Sequence, residues 1–290
     1  MRIGAVIVAY HPEQSTLQSL IDVLTASVDE LVIIDNSNNK HATLANQSPI
    51  TYMHFPENIG IARAQNVGLR HIKERNCEYA LLFDQDSRLA PDFVPRLQQA
   101  FTDTQQQIDS LVAIGPQVIC DFNNRPVRPK VQKYIKQCGD VFIVPQIISS
   151  GMFIDLSRLD DIGYKDERLF IDGVDHEWCW RAQKEGYCVG LAGSLNMQHK
   201  LGDRRASFLG LSYKVGAPVR LYYQFRNILL LSRRSYVPLY WKLRCLSLLP
   251  LRFILNALFQ APRIDRLRFM LKGIKDGVLK RSGAYSTKKQ

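Results

Sequence analysis

Ala80-Leu81-Leu82-Phe83-Asp84-Gln85-Asp86-Ser87 is the stretch on which the reading of this chain turns. Four apolar residues followed by two carboxylates have the form of a buried parallel strand. Such a strand delivers its acids to the carboxyl end, where open α/β sheets bind ligands. On extended backbone Asp84 and Asp86 share a side, with Gln85 between them. Two hard oxygen donors placed there suit Mg²⁺ or Mn²⁺ carrying a diphosphate. An exposed turn produces the same tripeptide, so its surroundings must decide.

Upstream, Ile3–Tyr10 and Leu31–Asp35 are apolar runs that end at His11-Pro12 and at the turn cluster Asp35-Asn36-Ser37-Asn38-Asn39. Between them Leu17, Leu20, Ile21 and Leu24 recur at helical spacing. A short strand over 51–55 is followed by a helical pattern through Ile61, Ala64, Gln65, Gly68, Leu69 and Ile72. Downstream come a helix over 93–101, a strand over 112–119, a polar excursion over 121–140 and an extended run over 146–154. A helix over 175–184 and a strand over 187–191 complete the core. This alternation predicts an α/β fold with a mostly parallel, Rossmann-like sheet and helices on both faces.

The 290 residues are 46% hydrophobic and 22% charged, which are globular values. The six cysteines show neither Cys-x-x-Cys spacing nor a disulfide framework, as expected of thiols in a reducing compartment. No run of 18 uncharged apolar residues occurs, so no membrane span is expected. The net charge of +11 is unevenly divided. Residues 201–290 hold 19 basic and 3 acidic residues, a net of +16, while residues 1–200 are net −5. A basic end on an acidic body points to an anionic surface, phospholipid or nucleic acid. Gly-x-Gly-x-x-Gly after the first strand, a P-loop, a second zinc-ligand His after His176-Glu177 and a Gly-x-Ser-x-Gly elbow are all absent. What remains is acidic: Asp35, Asp84, Asp86, Asp172, Asp175 and Glu177, each at or beside the end of an expected element.

The ordered set Val6–Pro12, Val32–Ser37, Asn58–Gly68, Phe83–Ser87, Ser150–Ile154 and Phe170–Arg181 resembles the inverting glycosyltransferases of family 2, which have the GT-A fold. Within that family it is most similar to bacterial L-rhamnosyltransferases that use dTDP-L-rhamnose. The narrowing comes from Asp84-Gln85-Asp86-Ser87 joined to Phe170-Ile171-Asp172 and Asp175-x-Glu177-Trp178. The resemblance implies that Tyr10 and Asp35 line the base pocket, with Asp35 accepting the pyrimidine N3–H. Asn58, Arg63 and Asn66 would flank it, Asp84 would contact the ribose or a metal-bound water, and Asp86 would bind the ion. His199 matches the His that closes the family's metal site. An imidazole ligand leans such a site towards Mn²⁺ over Mg²⁺.

Asp175 falls in the place of the family's catalytic base, with Glu177 two residues on. An inverting transfer needs one carboxylate to take the acceptor hydroxyl proton. Asp172 is the alternative base if the helix begins later. Helix-start acids complementing the dipole are the plainer reading of this cluster. Val174 stands where the broader family has Glu, and His11 where it often has Asn. Arg226, or Arg220, is placed to touch a diphosphate of donor or acceptor.

The expected organisation is a catalytic domain over 1–205, its nucleotide-binding half ending near residue 90, followed by a basic helical segment over 206–290. In Ile264–Arg281 the residues Ile264, Leu267, Met270, Leu271, Ile274 and Val278 share a third of a helical wheel, with Arg268, Lys272, Lys275 and Lys280 opposite or at its edges. That pattern fits a helix lying on an anionic bilayer. The 236–261 segment is more apolar and should break at Pro250; it packs either on the membrane or on the catalytic domain. The combined expectation is a cytoplasmic enzyme, peripheral on the inner face of the bacterial plasma membrane. It would extend a polyprenyl-diphosphate-linked glycan in surface polysaccharide (O-antigen-like) synthesis. A nucleic-acid-binding polyanion binder and a nucleotidyltransferase are the competing classes.

Overall fold

The computed structural model describes residues 1–41, 44, 49–120, 125–126, 135–199, 204–208 and 211–286, with backbone alone at 120, 125–126, 199, 204–208 and 211–215. The main sheet contains β1 (Ile3–Ala9), β2 (Glu30–Asp35), β3 (Ile50–His54), β4 (Tyr79–Asp84), β5 (Leu111–Cys120) and the short β6 (Arg125–Pro126). It is completed by β7 (Lys136–Cys138), β8 (Val141–Val144), β9 (Met152–Asp155) and β10 (Cys188–His199), in the order β3-β2-β1-β4-β9-β5-β10-β8-β7 with β6 on β5. Strands β11 (Arg204–Phe208) and β12 (Leu211–Val215) form a separate antiparallel pair.

Strands β3, β2, β1 and β4 are mutually parallel, as are β5 and β10. The chain builds outward from β1 to β2 and β3, then crosses to β4 on the other side, so a topological switch point lies between β1 and β4. The expected alternation is therefore intact from β1 to β4. The sheet becomes mixed at β9, which runs antiparallel to both β4 and β5. Strand β8 already opposes β10, and hence β5, and β9 continues in the direction of β8. The expected run over 146–154 contains a turn instead of one strand: the Met152 N–H donates to the Ser149 carbonyl at 2.9 Å, with Gly151 at φ +78°.

Successive β1 side chains alternate between two cores, as strand geometry requires. Ile3, Ala5 and Ile7 join α1 (Gln14–Thr25) and α3 (Phe93–Gln105). Val6 and Val8 join α2 (Ile61–Glu74) and α5 (Val174–Lys184), with the short α4 (Leu159–Ile162) beside them. The α1 stripe Leu17, Leu20, Ile21 and Leu24 is wholly buried, each side chain contributing about 1.5–3 kcal/mol. Helix α2 approaches β1 so closely that a Cβ on Gly68 would lie 2.3 Å from Val6 Cγ1.

Three helices end the chain: α6 (Pro218–Ser232), α7 (Leu239–Phe259) and α8 (Arg263–Val278). Helix α7 runs through Pro250 rather than breaking there; the exposed proline costs one backbone bond on a helix held by its neighbours. Helix α8 meets α6 through Gly273 and Gly277, where added Cβ atoms would fall 2.5 Å from the Tyr222 carbonyl oxygen and 2.9 Å from Leu229. This seam leaves Ile264, Leu267, Leu271 and Val278 exposed. Among the described residues no helix is long and apolar enough to cross a membrane, and the five cysteines with described side chains form no disulfide.

Candidate active site

The parallel register fixes where the acids arrive. Ala9 pairs with Asp35 and Val8 with Asp84, so the ends of β1, β2 and β4 meet on one edge of the sheet. Gln85 fastens that edge: its Oε1 accepts from the Tyr10 N–H at 2.6 Å, and its Nε2 donates to the Tyr10 carbonyl at 3.1 Å. The middle residue of the Asp-Gln-Asp motif thus holds the β1 loop, leaving the Tyr10 ring 49% exposed over the edge. His11 sits at φ +48°, a left-handed conformation that Asn and His both tolerate, which accounts for their exchange here.

Asp35 is fully buried. Its Oδ1 accepts from the Ser37 N–H at 2.9 Å, and its Oδ2 accepts from the Tyr52 hydroxyl at 2.5 Å and lies 2.6 Å from His41 Nδ1. Burial pushes its pKa up, but the bonds from Ser37, Tyr52 and His41 outweigh it and hold the carboxyl below its ordinary value. Only Oδ1 keeps capacity for another donor. Beside it, Asn36 Oδ1 is buried with no hydrogen-bond partner, an open acceptor at the strand end.

Asp84 and Asp86 are both partly exposed at the end of β4. The Arg88 N–H donates to the Gln198 carbonyl at 3.4 Å, bringing the last residues of β10 against this turn. The His199 backbone therefore lies next to the acidic motif, while its side chain lies outside the described residues. Among the described side chains, no three His, Cys, Asp or Glu converge on a metal-sized point. The donor set of two carboxylates with an imidazole position alongside fits Mn²⁺ or Mg²⁺.

The two serines of the 149–151 turn join this edge to the acids of α5. Ser150 Oγ is 2.6 Å from Ser87 Oγ, the last residue of the acidic motif. Its neighbour Ser149 donates its hydroxyl to Asp175 Oδ1 and also approaches Gln65 Oε1 of α2 at 3.4 Å. Lys165 is buried nearby with its Nζ 4.4 Å from the Trp178 ring centroid and 3.6 Å from Met152 Sδ. Burial pushes the Lys165 pKa down, and the Asp175 charge is the largest influence against it.

The loop entering α5 is strained. Phe170 and Asp172 both have φ +66°, and Gly173 has φ +87°; each non-glycine residue of this kind costs about 1–3 kcal/mol. Arg226 and Asn227 hold the loop in place. The Arg226 guanidinium donates to the carbonyls of Arg168, Leu169 and Gly283, and the Asn227 amide to those of Leu169, Ile171 and Asp172. This corrects the sequence expectation for Arg226: it is fully buried and spent on backbone, so it braces the loop and does not reach a nucleotide.

Glu177 is corrected in the same way. It is 1% exposed and bonded to Arg181 at 2.9 Å, Arg234 at 3.0 Å and the Tyr236 hydroxyl at 2.6 Å, a buried ionic hub remote from proton transfer to a substrate. Asn66 is also buried, its amide closed on Lys165 backbone and Glu167, so it cannot flank a base. Asn58 accepts from the Gly60 N–H at 2.9 Å, as a cap would. Arg63 is exposed on the first turn of α2. Asp172 pairs with Arg220 at 2.6 Å, which occupies the alternative base. Asp175, partly exposed, has only the Ser149 hydroxyl on its carboxylate among the described residues.

Ser149, Gln65, Asn36 and Lys165 escaped the sequence reading. Ser149 stands one residue before a quoted motif, and Asn36 and Gln65 lie inside two others; nothing in the sequence marks Lys165.

A profile of the family described as "Glycosyl transferase family 2" matches residues 5–161. The chain is 31% identical over 283 residues to the dTDP-rhamnosyl transferase RfbF of Shigella flexneri, covering 95% of both proteins. It is 22% identical over 243 residues to the low-salt glycan biosynthesis hexosyltransferase Agl10 of Haloferax volcanii, covering 79% of this chain and 75% of the relative. Among solved structures it resembles S. aureus TarS 1-349 in complex with UDP-GlcNAc, with TM-score 0.55 and 15% identity over 96% of this chain and 82% of that one. It also resembles GalNAc-T7 with UDP, GalNAc and Mn²⁺, with TM-score 0.56 and 12% identity over 97% of this chain and 56% of that one.

Proposed function

The chain belongs to glycosyl transferase family 2, and from that premise we propose that it transfers L-rhamnose from dTDP-L-rhamnose, with inversion, to a lipid-linked glycan. The observation that carries the mechanism is the serine turn, which ties Ser87 of the acidic motif and Asp175 to adjacent residues. Leaving-group site and base are thereby held in one fixed relation.

The thymidine base lies against Tyr10, with Asn36 Oδ1 and the remaining capacity of Asp35 Oδ1 as its acceptors. Asp84 faces the ribose. Asp86 and His199 would hold a divalent ion, which when bound would supply Lewis-acid stabilisation of the departing diphosphate. Asp175 acts as base through Oδ2, because Oδ1 is occupied by Ser149. It removes the acceptor hydroxyl proton as that oxygen bonds to the anomeric carbon and the carbon–phosphate-oxygen bond breaks. The dTDP leaves with the electron pair. Membership in the family removes the polyanion binder and the nucleotidyltransferase as competing readings.

The basic segment over 206–290 serves as the membrane-associating part. All large apolar side chains exposed among the described residues, except Met1, Tyr10 and Ile135, lie within 239–279. Such an apolar surface among so many Lys and Arg suits an anionic bilayer, at about 1 kcal/mol per surface-held basic residue. A place on the inner face of the plasma membrane, where surface polysaccharide is built on a polyprenyl diphosphate, follows from that reading.

The test is transfer and donor hydrolysis with dTDP-, UDP- and GDP-sugars, with and without Mn²⁺, in the parent, Asp86→Ala and Asp175→Asn. The expected pattern is dTDP-rhamnose preference, metal dependence lost in Asp86→Ala, and intact dTDP binding without transfer in Asp175→Asn. Near-normal transfer by Asp175→Asn, or indifference to chelation, overturns the assignments.

A further inference from the structure

A cleft of this molecule lies outside the strand-end site. It has a volume of about 490 Å³ and is bounded by α6, α7 and the loop that starts α5. Tyr10, Asp35, Asp84 and Asp86 do not line it; Asp172, Gly173 and His176 do. The cleft therefore adjoins the base-bearing helix and is separate from the nucleotide edge.

Its charge is one-sided. Arg220, Arg244, Arg252 and Arg266 line it, against the single carboxylate of Asp172. Asp172 is taken by Arg220 at 2.6 Å. Arg266 is buried and donates to Ala261 and Gly216 carbonyls and to Asn256 Oδ1, bracing the wall. Arg244 and Arg252 are exposed and have no ion-pair partner among the described residues. Two cationic forks facing a partly apolar cleft that includes Trp241 form a receptor for a polyanionic head with an apolar continuation.

Helix α7 supplies the second observation. Trp241, Cys245, Arg252 and Asn256 recur at helical spacing on the cleft side. The opposite side carries Leu239, Leu243, Leu246, Ile254 and Leu258, exposed by 39–68%. With a helix about 10 Å across, the cleft stands one helix width from that apolar stripe. A bilayer engaging the stripe brings the cleft to headgroup depth.

We propose that this cleft binds the diphosphate of an isoprenoid-linked acceptor through Arg244 and Arg252, presenting the attached glycan to Asp175. The proposal rests on the lipid-linked acceptor reading above. A donor diphosphate offers the same head chemistry but no isoprenoid, and its place is the strand edge.

The experiment titrates the full chain with farnesyl diphosphate, inorganic pyrophosphate and dTDP, following tryptophan fluorescence with Trp241→Phe as the signal control. The Arg244→Ala/Arg252→Ala double variant should bind farnesyl diphosphate roughly 100-fold more weakly, about tenfold per charge-assisted bond lost. Its dTDP affinity should stay within about twofold, which also reports an intact fold, and Arg244→Lys/Arg252→Lys should recover part of the loss. Unchanged farnesyl diphosphate binding in the double alanine variant overturns the proposal, as does displacement of farnesyl diphosphate by dTDP in the parent. Steady-state transfer separates the two readings. If the parent uses a polyprenyl-diphosphate-linked glycan with a KM unmoved by the double variant, the cleft assignment alone fails. If the parent accepts only glycans without lipid, the acceptor reading fails and takes the cleft with it.

Discussion

Replacing Lys165 by Met should stabilise the protein. The ammonium is 3% exposed, and its near contacts are the Met152 sulfur at 3.6 Å and the Trp178 ring at 4.4 Å; it makes no ion pair among the described residues. Burying a charge with such partners costs several kcal/mol, of which a desolvated ring contact returns about 2 kcal/mol. Methionine keeps most of the volume and none of the charge. The expected gain is about 1–3 kcal/mol, raising Tm by roughly 2–6 °C in a chain of this size. The pH dependence follows from the direction of the pKa change. Folding lowers the Lys165 pKa below 10.5, so the unfolded state binds more protons in that window and parent stability rises with pH. The advantage of Lys165→Met should therefore shrink as pH climbs towards about 10. Thermal melts of both proteins from about pH 7 to about pH 9.5 measure it. A variant less stable than the parent at neutral pH would refute the reasoning, because the ammonium would then be paired more strongly than its sulfur and ring contacts allow.

Ser149→Ala should lower kcat about 10- to 100-fold, the loss of one hydrogen bond to a charged group, with dTDP affinity unchanged. Equal losses in kcat and dTDP affinity would show general collapse of the turn. Glu177→Ala strands Arg181, Arg234 and the Tyr236 hydroxyl and should cost about 3–5 kcal/mol in urea unfolding; a cost within experimental error would remove the hub. Asp35 contributes stability that is complete above its unfolded pKa and is lost as pH falls through its depressed folded value. Asp35→Asn should accordingly flatten the acid limb of the stability curve below about pH 4, and an unchanged limb would count against the Ser37, Tyr52 and His41 bonds.

The strand ends were readable because buried parallel strands are continuous apolar runs and their final acids stand out against them. Helices α1 and α2 were readable from period alone. The antiparallel course of β9 was not, since strand direction depends on the connection and not on composition. Charge type also misled at Arg226 and Glu177. A buried Arg closed on backbone carbonyls and a buried Glu closed on two Arg look in sequence like any other functional ions; only burial separates them. The Asp84–Asp86 motif gave its location correctly, but the role of Gln85 as the clamp on Tyr10 depends on the register of β1 against β4.

The site is organised less by its acids than by what fixes them. Gln85 binds the end of β4 to β1, Ser150 binds Ser87, and Ser149 binds Asp175. Arg226 and Asn227 hold the strained entry to α5 from behind. Every one of these bonds joins segments that are distant in sequence, with no ligand needed to form them. The proposed inverting displacement would gain from such an arrangement, because nucleophile, reacting carbon and leaving group must lie in line before the bond changes begin. Helix α6 takes part in both requirements: through Arg226 and Asn227 it shapes the loop that leads to Asp175, the proposed base, and through Arg220 it borders the cleft beside that loop. A shift of α6 on loading the cleft would therefore be felt at Asp175, which makes the helix the element that would couple the proposed acceptor cleft to the proposed base.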